Sequence, residues 1–156
     1  MRFLQIISKS NTKIAKKYLY EYIHELSEFD DTIQFDKNNN PIYKWFDSYW
    51  TDKDRYPFFL LIDNQIAGFA FIRELELDKY EIAEFYVCKQ FRKDGNAIWF
   101  ADNVINLFEG EFDFSAHNQN KRAINFWNKF VKKFEYSNCI KNGKYHCWTI
   151  KNKNKR

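Results

Sequence analysis

Cysteine is scarce in this chain of 156 residues. Its three copies, Cys88, Cys139 and Cys147, are an odd number without the spacing of a metal site. That excludes a disulfide framework and suits a reducing cytoplasm, with each thiol read as buried and inert. Long apolar runs are missing too. The longest uninterrupted one, Phe58 to Ile62, is far too short to span a bilayer. The apolar part of MRFLQII is too brief for a signal peptide, and charge follows it quickly. No repeat or internal linker interrupts the chain. With 45% hydrophobic and 21% aromatic residues it is not a disordered segment. Its length suits one domain with a single substantial core.

Acidic residues are nearly absent from one region. Residues 117–156 carry eleven basic side chains against the single acid Glu135. Residues 21–55 reverse this, with nine acidic and four basic side chains, so the net charge of +4 hides a division. A uniformly basic nucleic-acid binder would not be divided this way, which disfavours a nucleic-acid partner. An anionic ligand on one side and a cationic one on the other fits better. Lys151 to Arg156 reads as a frayed basic tail after a domain at 1–150.

Arg2 to Ile7 reads as a first strand. Helical spacing of Ile14, Tyr18, Leu19, Tyr22, Ile23 and Leu26 predicts an amphipathic helix over about 12–28. A loop over 29–41 leads to a shorter helix near 42–50, with Ile42, Trp45, Phe46 and Tyr49 on one face. FFLLI (58–62), the turn Asp63-Asn64 and QIAGFAFI (65–72) form a β-hairpin pattern. The next strand is 80–87. A helix over 95–108, stopped by Gly110, precedes a strand at 111–116. Asn118 or Asn120 caps a last helix, and two strands near 134–140 and 145–150 meet at Asn142-Gly143. The predicted order is β-α-α-β-β-β-α-β-α-β-β, a mixed α/β sheet.

The chain centres on EFYVCKQFRKDGNAI (84–98), a strand, a glycine loop and a helix N-terminus in succession. Such a junction suits an anion, because a helix N-terminus offers unpaired N–H groups and about half a positive charge. Arg92 and Lys93 add side-chain charge.

Three patterns in order resemble the GNAT superfamily of acyl-CoA-dependent N-acetyltransferases. They are QIAGFAF (65–71), Arg92-x-x-Gly95-x-Ala97 after Val87, and Asn120-x-x-Ala123-x-x-Phe126-Trp127. The wording is similar to that of a subgroup of small bacterial members. The resemblance implies a single α/β domain with a mixed, mostly antiparallel twisted sheet, flanked by about four helices. That sheet would be split into a V-shaped cleft holding acetyl-CoA, with no metal. Backbone groups at Phe85, Tyr86 and Val87 would pair with the pantetheine arm. Residues Arg92, Lys93, Asp94, Gly95, Asn96, Ala97 and Ile98 would cradle the pyrophosphate. Asn120, Ala123, Phe126 and Trp127 would form the wall on the last helix.

Acetyl transfer to an amine needs a base, oxyanion donors and an acid for the leaving thiolate. Glu84 is the candidate base. Glu81 is second choice, sent by strand parity to the other face. The Val87 N–H is the candidate oxyanion donor. Two positions depart from the family's pattern. Trp127 stands where the family often has Tyr and cannot donate a phenolic proton, leaving Tyr86, Tyr136 or water. Asp94 puts a carboxylate in the phosphate loop, where it could cap the helix. The acidic segment with Glu21, Glu25, Glu28, Asp30, Asp31 and Asp36 suggests a cationic amine acceptor. Alternatives are a catalytically weak acyl-CoA-binding or regulatory module on the same fold, and a nucleic-acid-binding module. The strand-rich C-terminus is compatible with a homodimer.

Overall fold

The computed structural model describes residues 1–153. Seven strands form one sheet: β1 (Arg2–Ile6), β2 (Arg55–Ile62), β3 (Gln65–Glu76), β4 (Lys79–Val87), β5 (Gly110–His117), β6 (Glu135–Lys141) and β7 (Tyr145–Asn152). Their order across it is β1-β2-β3-β4-β5-β7-β6. Four helices flank it: α1 (Thr12–Leu26), α2 (Ser48–Thr51), α3 (Asn96–Ile105) and α4 (Lys121–Phe130). The expected element order holds throughout. All neighbouring strands are antiparallel except β4 and β5, which need the α3 crossover to run parallel.

Alternation along the strands divides the core into two layers. Phe58, Leu60, Ala70, Ile72 and Phe112 meet α3 and α4 on one face. Phe59, Phe69, Phe71 and Tyr86 meet α1 and Tyr49 on the other. The β2–β3 turn places Asp63 and Asn64 both at positive φ (50° and 67°), the conformation of a type I′ hairpin.

Four expectations need correction. The second helix is one turn, Ser48–Thr51, not 42–50. Its intended start is held elsewhere: Ile42 N–H donates to Gln34 O, and the Tyr43 hydroxyl reaches β4. Ile42 and Trp45 are consequently exposed while Phe46 and Tyr49 are buried. Gly110 does not stop α3, which ends at Ile105. It opens β5 at φ +149°, where a Cβ would stand 2.2 Å from the Asp78 carbonyl oxygen. The tail begins later than expected. Lys151 and Asn152 belong to β7, and buried Asn152 donates to the Ile105 and Phe108 carbonyls at 3.0 and 2.8 Å. The rest of the predicted tail, residues 154–156, lies outside the described residues. Cys139, finally, is exposed and faces buried Cys147 across the β6–β7 ladder.

Candidate active site

The site begins where the sheet comes apart. β4 pairs with β5 only at Lys79, Glu81 and the Tyr80 between them. Beyond Glu81 the two strands separate, leaving one edge of β4 without a neighbour. The antiparallel ladder decides which groups line that edge. Cys88 N–H donates to Ala67 O at 2.7 Å, so Ala67/Cys88 and Phe69/Tyr86 are the hydrogen-bonded pairs. The N–H and C=O groups of Phe85 and Val87 therefore point away from β3, into the gap. A cleft of about 350 Å³ fills the gap, a size typical of small-molecule sites.

Past Val87 the chain turns through Asp94 and Gly95, consecutive residues with φ +58° and +71°. Two consecutive left-handed residues turn the backbone sharply into α3, and Gly95, Asn96, Ala97 and Ile98 line the cleft there. In the first helical turn the N–H groups of Ala97 and Ile98 have no intrahelical acceptor. Asp94 does not cap the helix: Gly95 is the N-cap residue, and no side-chain cap bond is made. Buried Asn96 locks the loop from within. Its Nδ2 donates to Phe91 O at 3.0 Å, and its Oδ1 accepts from Arg2 Nη1 at 3.2 Å. Lys93 is exposed and makes no ion pair among the described residues. Arg92 is engaged. Its Nε donates to Val87 O at 2.8 Å and its Nη2 to Glu25 Oε1 at 2.7 Å.

A splayed β4–β5 pair with an amide-rich turn at its mouth is the shape the sequence motifs pointed to, and comparison with known proteins decides the family. The model of the acetyltransferase (GNAT) family matches residues 18–131. The chain belongs to that family. No curated protein matches it. A GNAT-family acetyltransferase of Streptococcus agalactiae superposes with TM-score 0.75 at 14% identity, covering 98% of this chain and 96% of that one. The ribosomal-protein-S18-alanine N-acetyltransferase of Escherichia coli gives 0.67 at 11%, covering 98% and 95%. The PaiA N-acetyltransferase of Thermoplasma acidophilum, solved with coenzyme A, gives 0.67 at 12%, covering 97% and 99%. At such identities these likenesses establish the fold.

In this GNAT chain the cleft gathers Phe85, Tyr86, Val87, Arg92, Lys93, Gly95, Asn96, Ala97, Ile98, Asn120, Ala123, Phe126 and Trp127. Asp94 and Glu84 are not among its lining. Four lining residues went unforeseen: Tyr22, Glu25, Leu26 and Arg122. The spacing of Tyr22 and Leu26 marked them as buried helix face, and Glu25 counted only towards an acidic excess. Glu25 Oε1 accepts from Arg122 Nη2 at 2.8 Å as well as from Arg92. It thus ties the loop to the start of α4. Asn120 caps α4 by accepting from Ala123 N–H at 3.2 Å. Trp127 is buried against Phe85, Phe114, Phe126 and Phe130.

Glu84 stands behind Tyr22. The Tyr43 hydroxyl donates to its Oε2 at 2.9 Å, and the Tyr22 hydroxyl lies beside both this carboxylate and the Phe85 backbone amide. Burial pushes the Glu84 carboxyl up to about 7 against an ordinary 4.5. The two tyrosine hydroxyls oppose that rise and nearby Glu81 adds to it. The proximity of Glu81 overturns the parity expectation. Ile72 pairs with Ile82 but Phe71 with Glu84, so Ala83 is an extra residue in β4. This bulge returns Glu81 and Glu84 to one face. Of the other tyrosines, Tyr86 donates its hydroxyl to Glu21 at 2.9 Å. Tyr136 sits on edge strand β6 and does not line the cleft.

Proposed function

We propose that this protein transfers an acetyl group from acetyl-CoA to a primary amine by direct attack within a ternary complex, in the cytoplasm. The strongest support is the edge of β4 at Phe85 and Val87, which no strand covers and where only side chains, Arg92 on Val87 O and Tyr22 beside the Phe85 amide, stand in for a partner. An acyl-CoA carries amides along its arm, and such an edge can accept them as it would an added strand. The loop at 93–98 would take the pyrophosphate on its amides with Lys93 in reach. Phosphate would also compete with Glu25 for Arg92 and Arg122. The thioester supplies an activated acyl group. Glu84 would draw the proton from the amine through water at the Tyr22 hydroxyl, a role suited to a carboxyl titrating near neutrality. The Val87 N–H would meet the developing oxyanion. With Trp127 apolar and the Tyr86 hydroxyl engaged, solvent would protonate the departing thiolate.

The acceptor's charge is less marked than the composition suggested. Glu25 answers Arg92 and Arg122, Asp30 accepts from Tyr145 at 2.7 Å, and Asp36 accepts from the amides of its own loop. Exposed Glu21, Glu28, Asp31 and Asp36 make no ion pair among the described residues and are the acids left to attract a cationic amine. Trp127, where a phenolic acid is usual, favours a second reading as an acyl-CoA-binding module without turnover.

A thermal-shift titration tests the binding. Saturating acetyl-CoA should raise the melting temperature by several degrees, about 2.7 kcal/mol at a hundredfold excess over Kd. Oligonucleotides should not. Gly95→Glu should abolish the shift, since it strains a left-handed position and brings a carboxylate to the anion loop. No shift with wild-type protein would sink the proposal. Release of free CoA across an amine panel then separates enzyme from binding module.

A further inference from the structure

Strand β6 closes one end of the sheet, and all seven of its residues are exposed. Its ladder with β7 engages only half of its backbone groups. Asn118 N–H donates to Lys144 O at 2.7 Å, which fixes His146, Trp148 and Ile150 as the β7 residues bonded towards β5. Tyr145, Cys147, Thr149 and Lys151 consequently face β6 and bond Lys141, Cys139, Ser137 and Glu135. The N–H and C=O groups of Tyr136, Asn138 and Ile140 point outward, with no strand beside them.

Natural edge strands are usually blunted by proline, a bulge or charges along the strand. β6 has no proline and an unbroken register, and YSNCI between its two ends is uncharged. It is also complementary to itself. Laid antiparallel on a copy about Asn138, Glu135 opposes Lys141, Tyr136 opposes Ile140, and Ser137 opposes Cys139. In the same register each outward-pointing residue meets another: Tyr136 meets Ile140, and Asn138 meets Asn138. Backbone geometry admits only registers that bring outward residues together, and among them side-chain charge selects the one centred on Asn138. Lys141 makes no ion pair among the described residues, whereas Glu135 holds Lys151 and Lys153 at 3.1 and 3.5 Å. Edge strand β1, RFLQI, has no such symmetry, since Arg2 would face Ile6.

We propose that the protein forms a two-fold dimer in which β6 pairs antiparallel with β6 of a second copy, centred on Asn138. Two seven-stranded sheets become one continuous sheet, and the contact closes on itself so that no third copy can add. Tyr136 and Ile140, a partly exposed aromatic and β-branched pair, become cross-strand neighbours on each side of the axis.

Sedimentation velocity on the full chain at tens of micromolar should give twice the 19.1 kDa mass. Asn138→Pro removes an outward N–H and no bond to β7, so a monomer that keeps its circular dichroism spectrum is expected. Two charge variants make the test independent of that proline. Glu135→Lys and Lys141→Glu each oppose like charges at both ends of the contact, and each should weaken dimerisation about tenfold. Mixed together, they restore both opposite-charge pairs and should form a heterodimer. A wild-type monomer would overturn the proposal. So would a dimer indifferent to these variants, or a mixture that stays monomeric.

Discussion

A carboxylate set among aromatic side chains titrates where its neighbours allow, and at Glu84 those neighbours are hydroxyls. Burial raises its pKa to about 7, while Tyr22 and Tyr43 favour the charged form. In the proposed role of base Glu84 would work deprotonated, so turnover should rise with pH through about 7. Removing a donor to the charged form must move that limb upward. Tyr43→Phe should shift the acid limb of the kcat/KM profile to higher pH by about one unit, the worth of a hydrogen bond to a charged group. Glu84→Gln should lower kcat by about 10²- to 10⁴-fold while leaving the acetyl-CoA thermal shift in place. A limb unmoved in Tyr43→Phe would separate the loop from the chemistry. The sequence placed Glu84 on β4, where the structure has it, but did not show its partners. Tyr43 lies forty-one residues away on a segment whose spacing imitates a helix, and only the folded chain shows what holds it.

At the level of elements, two bulges shape the site, and neither is visible in residue patterns. One inserts Ala83 into β4 and places Glu81 beside Glu84. The other lies in β3, where Leu60 pairs with Gly68 and Leu61 with Ile66, leaving Ala67 extra. Gly68 then approaches β4 so closely that a Cβ would stand 2.2 Å from Tyr86 O and 3.1 Å from Val87 Cα. Both neighbours are backbone of the cleft wall and cannot swing aside. Gly68→Ala should cost about 1–3 kcal/mol, seen as a fall of several degrees in Tm. It should also weaken acetyl-CoA binding, because the strain is relieved only by moving Val87. Strands and hairpins were legible from alternation and turn residues, as was the Ala-Gly pair itself. Why the glycine is needed was not legible, since that depends on how closely β4 approaches it.

Across the whole molecule, the buried carboxyl of Glu84, the proposed base, opposes stability near neutral pH. A folded-state pKa above the ordinary value means that the native protein holds a proton the unfolded chain has lost. Stability should therefore be full below about 4.5 and fall as pH rises through about 7, by about 3 kcal/mol from this group. Glu84→Gln cannot lose that proton. Its Tm should match wild type near pH 4 and exceed it at pH 8. Equal melting temperatures at pH 8 would contradict the desolvated carboxyl. The global layout was readable from the order of apolar segments and three short motifs. The ion-pair bridge from Glu25 to Arg92 and Arg122 was not, because its members stand 67 and 97 residues apart.

Arg2 has a consequence of another kind. It reaches from β1 to Asp94 O and Asn96 Oδ1, at sequence separations of 92 and 94 residues, and lies over Trp99. Contacts so distant along a chain form late, since closing a long loop precedes any reward from it. The turn proposed to hold the pyrophosphate is thus braced by contacts that close among the longest loops in the fold. Chains that have collapsed but not yet docked their first strand would present a slack turn. If the turn binds as proposed, acetyl-CoA affinity should return during refolding only once this first strand has docked.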